Sequence, residues 1–398
     1  MDKVNPKVDE AIETLNMKDG PTRRRLIQGT GLVSATAAAS ALLAACGSSS
    51  TTPSSTSTAS TVKTIGNFPK TPAWQFWFVN HVTTNPFFVP TIFGKNDAAA
   101  LLGLPQPRWG GSLDSNPTDM VHYLNTAIAA KANGIATTVI NSSPSDTTFT
   151  VPVANAMSAG IPVVSYNADG PIINGVVTPG TNRLCYVGQA LYISGQQLGD
   201  RIKSLATSKG EVVIFIATPG TANIQPRSDG AKSVLTAAGF TVSQQATGAL
   251  TSQETTAEKG FLLGHKSIVA ACAVDAGSTE LLGPNLAAAG LVGKIPAGGF
   301  DLTPGTLTAI NAGQLDFTIN QDPYLQGFLP TLYLYLYNLT GGLVLPPDTD
   351  TGLSFVTKTS VGAYLKYSTT YEGSTGATAP TLVPRSGPIS NPVATTST

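Results

Sequence analysis

The chain has 398 residues, a formal net charge of +0, and 12% charged against 41% hydrophobic residues. A chain this long splits into more than one packed unit, and its neutral balance supplies no electrostatic footprint for nucleic acid. Beyond the N-terminal region no window reaches about twenty strongly apolar residues, so nothing later reads as a membrane-spanning helix.

In the stretch "TRRRLIQGTGL" from Thr22, Arg23, Arg24 and Arg25 precede a mildly apolar run rich in Ala, Gly, Ser and Leu that ends at Ala45. A basic patch, a short apolar region and small residues at its end make an export signal, here residues 1–45. The arginines followed by Leu26, Ile27 and Gln28 resemble a twin-arginine signal, with a general secretory signal as the alternative. Leu43-Ala44-Ala45-Cys46 resembles the bacterial lipobox, in which the chain is cut before the cysteine and the sulfur is acylated. Residues 46–72 are rich in Ser and Thr, bury little apolar surface and read as a flexible tether. The resemblance implies an extracytoplasmic protein anchored to the cell membrane by a lipid on Cys46.

After the tether, short apolar runs alternate with helical patterns. "WQFWFV" (74–79) reads as a strand, and Phe87 to Leu102 as a helix stopped by Gly103. Thr118–Gly134 is an amphipathic helix with a glycine stop, followed by strand 135–141, helix 147–160 and strands 161–167 and 184–188. The pattern restarts with a helix from Gln189 to Leu205, strand 211–217 and a helix running to Gly239. Strands follow at 267–274, 295–301 and 315–320, and a long helix at 323–342. Strands separated by helices imply right-handed crossovers and mostly parallel sheets. The fold class is therefore α/β, with two doubly wound parallel-sheet lobes. Residues 367–398, rich in Ser, Thr, Pro and Gly, read as a disordered tail. Cys185 and Cys272 fall on strands in different halves and read as two buried thiols.

In open parallel sheets, ligands sit beyond the carboxyl ends of the strands. The polar and aromatic residues at those ends are His81, Asn85, Phe87, Phe88, Asn141, Asn167, Asp169, Asn223, Gln225, Arg227, Asp275, Asp301, Gln321 and Asp322. No G-x-S-x-G elbow, no Walker loop and no zinc spacing accompanies them, so neither catalysis nor a cofactor is expected. Carboxylates and amides pair with neighbouring hydroxyls, an arginine donates a fork, and aromatic faces stack on the C–H faces of a ring. That set suits a neutral polyhydroxylated ligand such as a sugar.

"TTNPFFVP", "VINSSPSD", "AGIPVVSYN", "YVGQALYISGQQLGDRI", "GFD" and "TINQDPYLQG" occur in an order and spacing that resembles the periplasmic sugar-binding proteins of the ribose-binding type, the substrate-binding components of ABC transporters. The likeness runs from about residue 74 to 365. It implies two lobes joined by three crossovers, the first from 73–189 with 323–345 and the second from 190–322 with 346–366. It also implies a monomer that closes on a sugar or polyol and delivers it to a membrane permease. Asn85 corresponds to a hydrogen-bonding residue, Phe87 and Phe88 to ring-stacking or wall residues, and His81 to a small polar position. Asn167 stands where ribose binders have an aspartate and Ala168 where they have an arginine, which points away from ribose itself. Arg227, Asp275, Asp301 and Gln321 match family positions in the second lobe. Each has a plainer structural reading. Asn85 is also the turn residue before Pro86, Phe87 and Phe88 suit a core, and Asp301 and Asp275 suit helix N-caps, with Ser278 competing for the second. A receptor for a membrane sensor or chemotaxis system has the same cleft, and an exported carbohydrate-active hydrolase is the remaining alternative.

Overall fold

Runs of apolar residues buried on both sides set the strands. The computed structural model describes residues 71–141, 146–170, 172–173, 176–177 and 180–365. The export signal, Cys46, the tether to residue 70 and the tail from 367 lie outside the described residues.

The first sheet contains β1 (Phe76–Asn80), β2 (Arg108–Gly111), β3 (Gly134–Val139), β4 (Val163–Asp169), β7 (Tyr186–Gly188) and β13 (Thr349–Asp350), in the order β13-β7-β4-β3-β1-β2. All its pairings are parallel. A small antiparallel hairpin, β5 (Ile172–Ile173) with β6 (Val176–Val177), follows β4. The second sheet contains β8 (Glu211–Ile216), β9 (Thr241–Ala246), β10 (Ala270–Ala273), β11 (Ala297–Phe300), β12 (Phe317–Asn320) and β14 (Ser354–Thr357), in the order β14-β12-β11-β10-β8-β9. Only β14 runs antiparallel to its neighbour. Every residue of β1, β3, β4, β10, β11 and β12 is buried, as a sheet covered on both faces requires.

The helices are α1 (Val89–Leu102), α2 (Pro117–Ala129) and α3 (Thr150–Ser158), then α4 (Leu191–Leu205), α5 (Gln225–Ala237), α6 (Thr251–Gly264), α7 (Ala276–Ala289) and α8 (Pro304–Asn311), and finally α9 (Leu325–Leu339) and α10 (Val361–Leu365). Leu198 and Ile202 of α4 join the apolar cluster over the second sheet, and Leu334 and Tyr335 of α9 that over the first. The chain thus passes between the sheets three times: between β7 and α4, between β12 and α9, and between β13 and β14. The expected lobe boundary at 345/346 is corrected here. Thr349 pairs with Val187 in the first sheet, and Asp348 accepts from the Tyr186 backbone N at 2.7 Å. A two-residue strand has no periodicity to read.

Gly134 is a second correction. It opens β3 rather than ending α2, which stops at Ala129, and Lys131 makes the turn at φ 53; a side chain at 134 would crowd Leu334 and Phe76. Close packing of α4 on α5 also matters for the site. A Cβ on Gly195 would lie 2.1 Å from the Arg227 carbonyl oxygen, and one on Gly230 2.2 Å from that of Tyr192. Cys185 and Cys272 are both free and buried, and burial pushes both thiols up to about 12.

α6 meets α7 through a buried acid. Glu258 accepts from Asn285 Nδ2 at 2.9 Å, while its other oxygen has no partner among the described residues. Glu254, one turn earlier, lies against Gly277. Burial first, then the facing carboxylates of Asp275 and Glu280 for Glu254, and of Asp275 and Glu254 for Glu258, push them up to about 8 and about 9. Both hold a proton in the folded chain, whereas an unfolded glutamate ionises near pH ~4.3. Their stabilisation is therefore complete below about pH 4.3 and is lost as pH rises through about 9. Melting temperatures across this range should show Glu258→Gln gaining on the wild type as pH rises; a difference independent of pH would contradict the assignment.

Candidate functional site

The ends of β1, β3 and β4 in the first lobe and of β8, β10, β11 and β12 in the second carry the candidate residues. His81 follows β1 and is buried. Its Nδ1 lies 3.2 Å from Thr138 Oγ1, and its Nε2 lies 3.4 Å from Asn223 Nδ2 of the second lobe. An amide nitrogen only donates, so Nε2 accepts and the network assigns the ring proton to Nδ1. Burial lowers the imidazole to about 4, so it is neutral at physiological pH.

Asn85 is exposed and caps the 3₁₀ turn Pro86–Phe88, accepting from Phe87 N at 2.9 Å. Phe88 sits in the core beside Phe78, with its ring centroid 5.2 Å from His81. Phe87 is half-buried and meets Phe88 edge to face at 4.7 Å. Of the two rings, Phe87 is the one left with open surface. Asn141 donates to the Asp146 carbonyl at 2.9 Å, and its buried Oδ1 has no partner among the described residues.

Asn167 owes its position to an irregularity. Between Thr137↔Ser165 and Val139↔Asp169, β3 advances two residues and β4 four. The extra residues bulge, and Asn167 takes φ 62, a conformation asparagine tolerates better than most residues. Tyr186 Oη donates to its carbonyl at 3.0 Å, and its Nδ2 donates to Gln326 Oε1 at 3.0 Å.

Arg227 lies in the first turn of α5 and is buried. Nε donates to Gln189 Oε1 and Nη1 to the Val274 carbonyl, both at 3.1 Å, and the guanidinium lies 4.2 Å over the Phe300 ring. Burial lowers its pKa, against the pull of Asp301, Tyr186 and Asp275.

The two aspartates differ. Asp275 is the N-cap of α7: Oδ1 accepts from Ser278 N, and Oδ2 from Ala217 N and Ser278 Oγ. Ser278 is therefore the capped residue, and both oxygens of Asp275 are engaged. Asp301 does not cap α8, since Thr303 does. It stands at φ 78, accepts from Gln321 Nε2 at 2.7 Å on Oδ1, and shows no engagement of Oδ2 among the described residues. Burial raises its carboxyl to about 6, with Arg227 and Gln321 opposing the rise.

Gln321 also receives Gln326 Nε2 on its Oε1 at 3.1 Å, and its carbonyl accepts from Thr351 Oγ1 at 2.7 Å. The structure thus adds three residues to the set: Gln189, Gln326 and Thr351. Gln189 ties Arg227 to the third crossing through the Gly352 carbonyl at 3.4 Å. Each sits at or just after a crossing, where neither strand nor helix period marks it. The one signal available was a glutamine in the apolar run "PYLQGFLP".

A family model described as a periplasmic binding protein domain matches residues 76–340. The chain is 47% identical over 325 residues, 79% of each chain, to the xylose/arabinose-binding protein XylF of Sulfolobus acidocaldarius. Its fold is similar to that of an ABC transporter solute-binding protein from Burkholderia graminis in complex with D-arabinose, with 22% identity, 74% of this chain and 99% of that one covered, and a TM-score of 0.66. A carbohydrate transporter protein from Acidothermus cellulolyticus in complex with myo-inositol gives 25% identity, coverage of 75% and 98%, and a TM-score of 0.64.

The surroundings of His81 and Asp301 predict separate titrations. Side-chain NMR of the ligand-free protein should show His81 neutral until about pH 4 and Asp301 titrating near pH 6. A His81 midpoint near its ordinary value, about 6.5, would contradict the buried tautomer.

Proposed function

Because the chain belongs to the periplasmic binding protein family, we propose that it captures a pentose, xylose or arabinose, between its two lobes and delivers it without turnover to an ABC transporter in the membrane. The observation that carries this reading is Asp301, a buried strand-end carboxylate that no helix uses as a cap and that keeps one oxygen unengaged among the described residues. A carboxylate so placed accepts from sugar hydroxyls, and charged hydrogen bonds are the stronger kind. Arg227 Nη2 donates, the Asn141 Oδ1 that lacks a partner among the described residues accepts, and the half-buried face of Phe87 covers C–H groups. His81, Asn85 and Asn167 complete the first-lobe side and Gln321 holds Asp301; Asp275 acts by fixing α7, and Phe88 by backing His81. The relative named for xylose and arabinose supports the choice of ligand. Contacts from both lobes favour the closed arrangement, which is what a permease would recognise. The lipobox at Leu43–Cys46 and the tether after it support a protein held at the outer face of the cell membrane by a lipid on Cys46, and Arg23–Arg25 support its export by the twin-arginine route.

Calorimetry with xylose, arabinose, ribose, glucose and inositol tests the ligand. Xylose or arabinose should bind tightest and raise the melting temperature; silence across the whole panel would sink the reading. Affinity should weaken as pH falls below about 6, where Asp301 gains its proton. Asp301→Asn should weaken binding by about 10- to 100-fold and flatten that pH dependence. Cell fractionation tests the anchor: Cys46→Ser should move the protein from the membrane to the soluble fraction or leave its signal uncleaved, and a wild-type protein carrying no lipid at Cys46 would refute it.

A further inference from the structure

We propose that Gln326, which lies in the first turn of α9 and is fully buried, is a positioning residue that sets what both lobes present to the ligand. The proposal rests on the reading that Asn167 and Asp301 contact the sugar. Four side chains form one hydrogen-bonded series across the crossings. Asn167 Nδ2 donates to Gln326 Oε1 at 3.0 Å. Gln326 Nε2 lies 3.1 Å from Gln321 Oε1, 3.3 Å from the Gln321 carbonyl and 3.2 Å from Thr351 Oγ1. Gln321 Nε2 donates to Asp301 Oδ1 at 2.7 Å.

The series has only one direction. Ionised Asp301 is purely an acceptor, so Gln321 must turn its nitrogen toward it and its oxygen toward Gln326. Gln326 must then offer its nitrogen to Gln321 and its oxygen to Asn167. Asn167 in turn gives its nitrogen to Gln326 and keeps Oδ1 for the cleft. Thr351 Oγ1 spends its proton on the Gln321 carbonyl at 2.7 Å, so it too accepts from Gln326. One carboxylate in the second lobe thereby fixes the amide orientation of a site residue in the first lobe, and Gln326 is the link that touches both sides. It acts through Asn167 and Gln321 rather than on the sugar.

Two variants of the full chain test this. Gln326→Met fills a similar volume and removes both ends of the link, and should weaken xylose and arabinose binding about tenfold or more at every pH. Gln326→Glu behaves differently with pH. When protonated, the introduced carboxyl accepts from Asn167 and donates to Gln321, as the amide does; when ionised, it only accepts and opposes two oxygens of Gln321. The ratio of its dissociation constant to that of the wild type, taken at each pH so that Asp301 cancels, should be near one in acid and rise with pH. Side-chain amide resonances of Asn167 in the ligand-free variant should shift over the same pH range, a readout that needs no sugar and so separates this proposal from the pentose reading. Wild-type affinity in a folded Gln326→Met protein, a Gln326→Glu ratio that does not change with pH, or Asn167 resonances indifferent to pH would overturn it. A simple packing role for Gln326 predicts the pH-independent result. Should Gln326→Met fail to fold, the pH profile of Gln326→Glu decides alone.

Discussion

The structure depends on how polar side chains are satisfied where the chain crosses between its two sheets. Three crossings meet there, and each brings backbone and side-chain polar groups out of contact with water. Gln189, Gln321, Gln326 and Thr351 are all buried, and leaving one such group unpaired costs about 1–3 kcal/mol. A glutamine is suited to this place because its amide donates at one atom and accepts at the next, with reach enough to span neighbouring segments. A charged residue would need a counter-charge; an apolar one in place of Gln326 would take away the partner of Asn167 Nδ2 and of Gln321 Oε1. Because the partners interlock, moving one of them breaks bonds in two segments at once. Arg227 and Asp301 inherit their positions from that lock, through Gln189 and Gln321 respectively.

Backbone strain gathers at the same place. Asn167 and Asp301 both stand at positive φ, and Asp322, next to Gln321, does so as well. Such conformations cost free energy in any residue but glycine and persist only where surrounding contacts over-determine them. Here the contacts are specific: Tyr186 on the Asn167 carbonyl, and β12 on Asp301, whose N donates to the Ile319 carbonyl at 2.8 Å. The side chains are turned out of their strands and held there by the protein's own contacts, and such pre-organisation lowers the ordering cost of binding.

What the sequence disclosed follows from the same physics. The buried central strands read clearly because burial on both faces makes them nearly continuously apolar, as "FWFV" of β1 and "VVIFI" of β8 are. β9 did not read as a strand. It is an edge, and its sequence "TVSQQA" mixes half-exposed with exposed residues and buries none. β2, with two glycines in four residues, and β13, with only two residues in all, give no pattern either. Asp301 was legible because a carboxylate directly after the buried strand "AGGF" has to meet something at the strand end. Its separation from Asp275 was not. Which aspartate caps a helix depends on whether a hydroxyl residue two or three positions on takes the cap instead, as Thr303 does and as Ser278 does not. Gln326 was hidden because helical periodicity treats its position as one more face of α9, and only the third crossing shows what that face meets.

The charges of the site bear on selectivity. Arg227 is a single cation facing two carboxylates, Asp275 and Asp301, and burial raises both carboxyls while lowering the guanidinium. With both carboxylates ionised the group is one cation short of neutral, and the Arg227 guanidinium already donates to Gln189 and the Val274 carbonyl and stacks over the Phe300 ring. An uncharged ligand enters without adding a charge that needs compensation, and its hydroxyls complete bonds to oxygens that are otherwise short of donors. On the proposed reading, a sugar acid would bring a further carboxylate toward Asp301 and Asp275, with one arginine facing all three. That repulsion between carboxylates removed from water opposes the binding of an acid. Discrimination against acids would then follow from the carboxylates that already face Arg227, without any further group placed to exclude them.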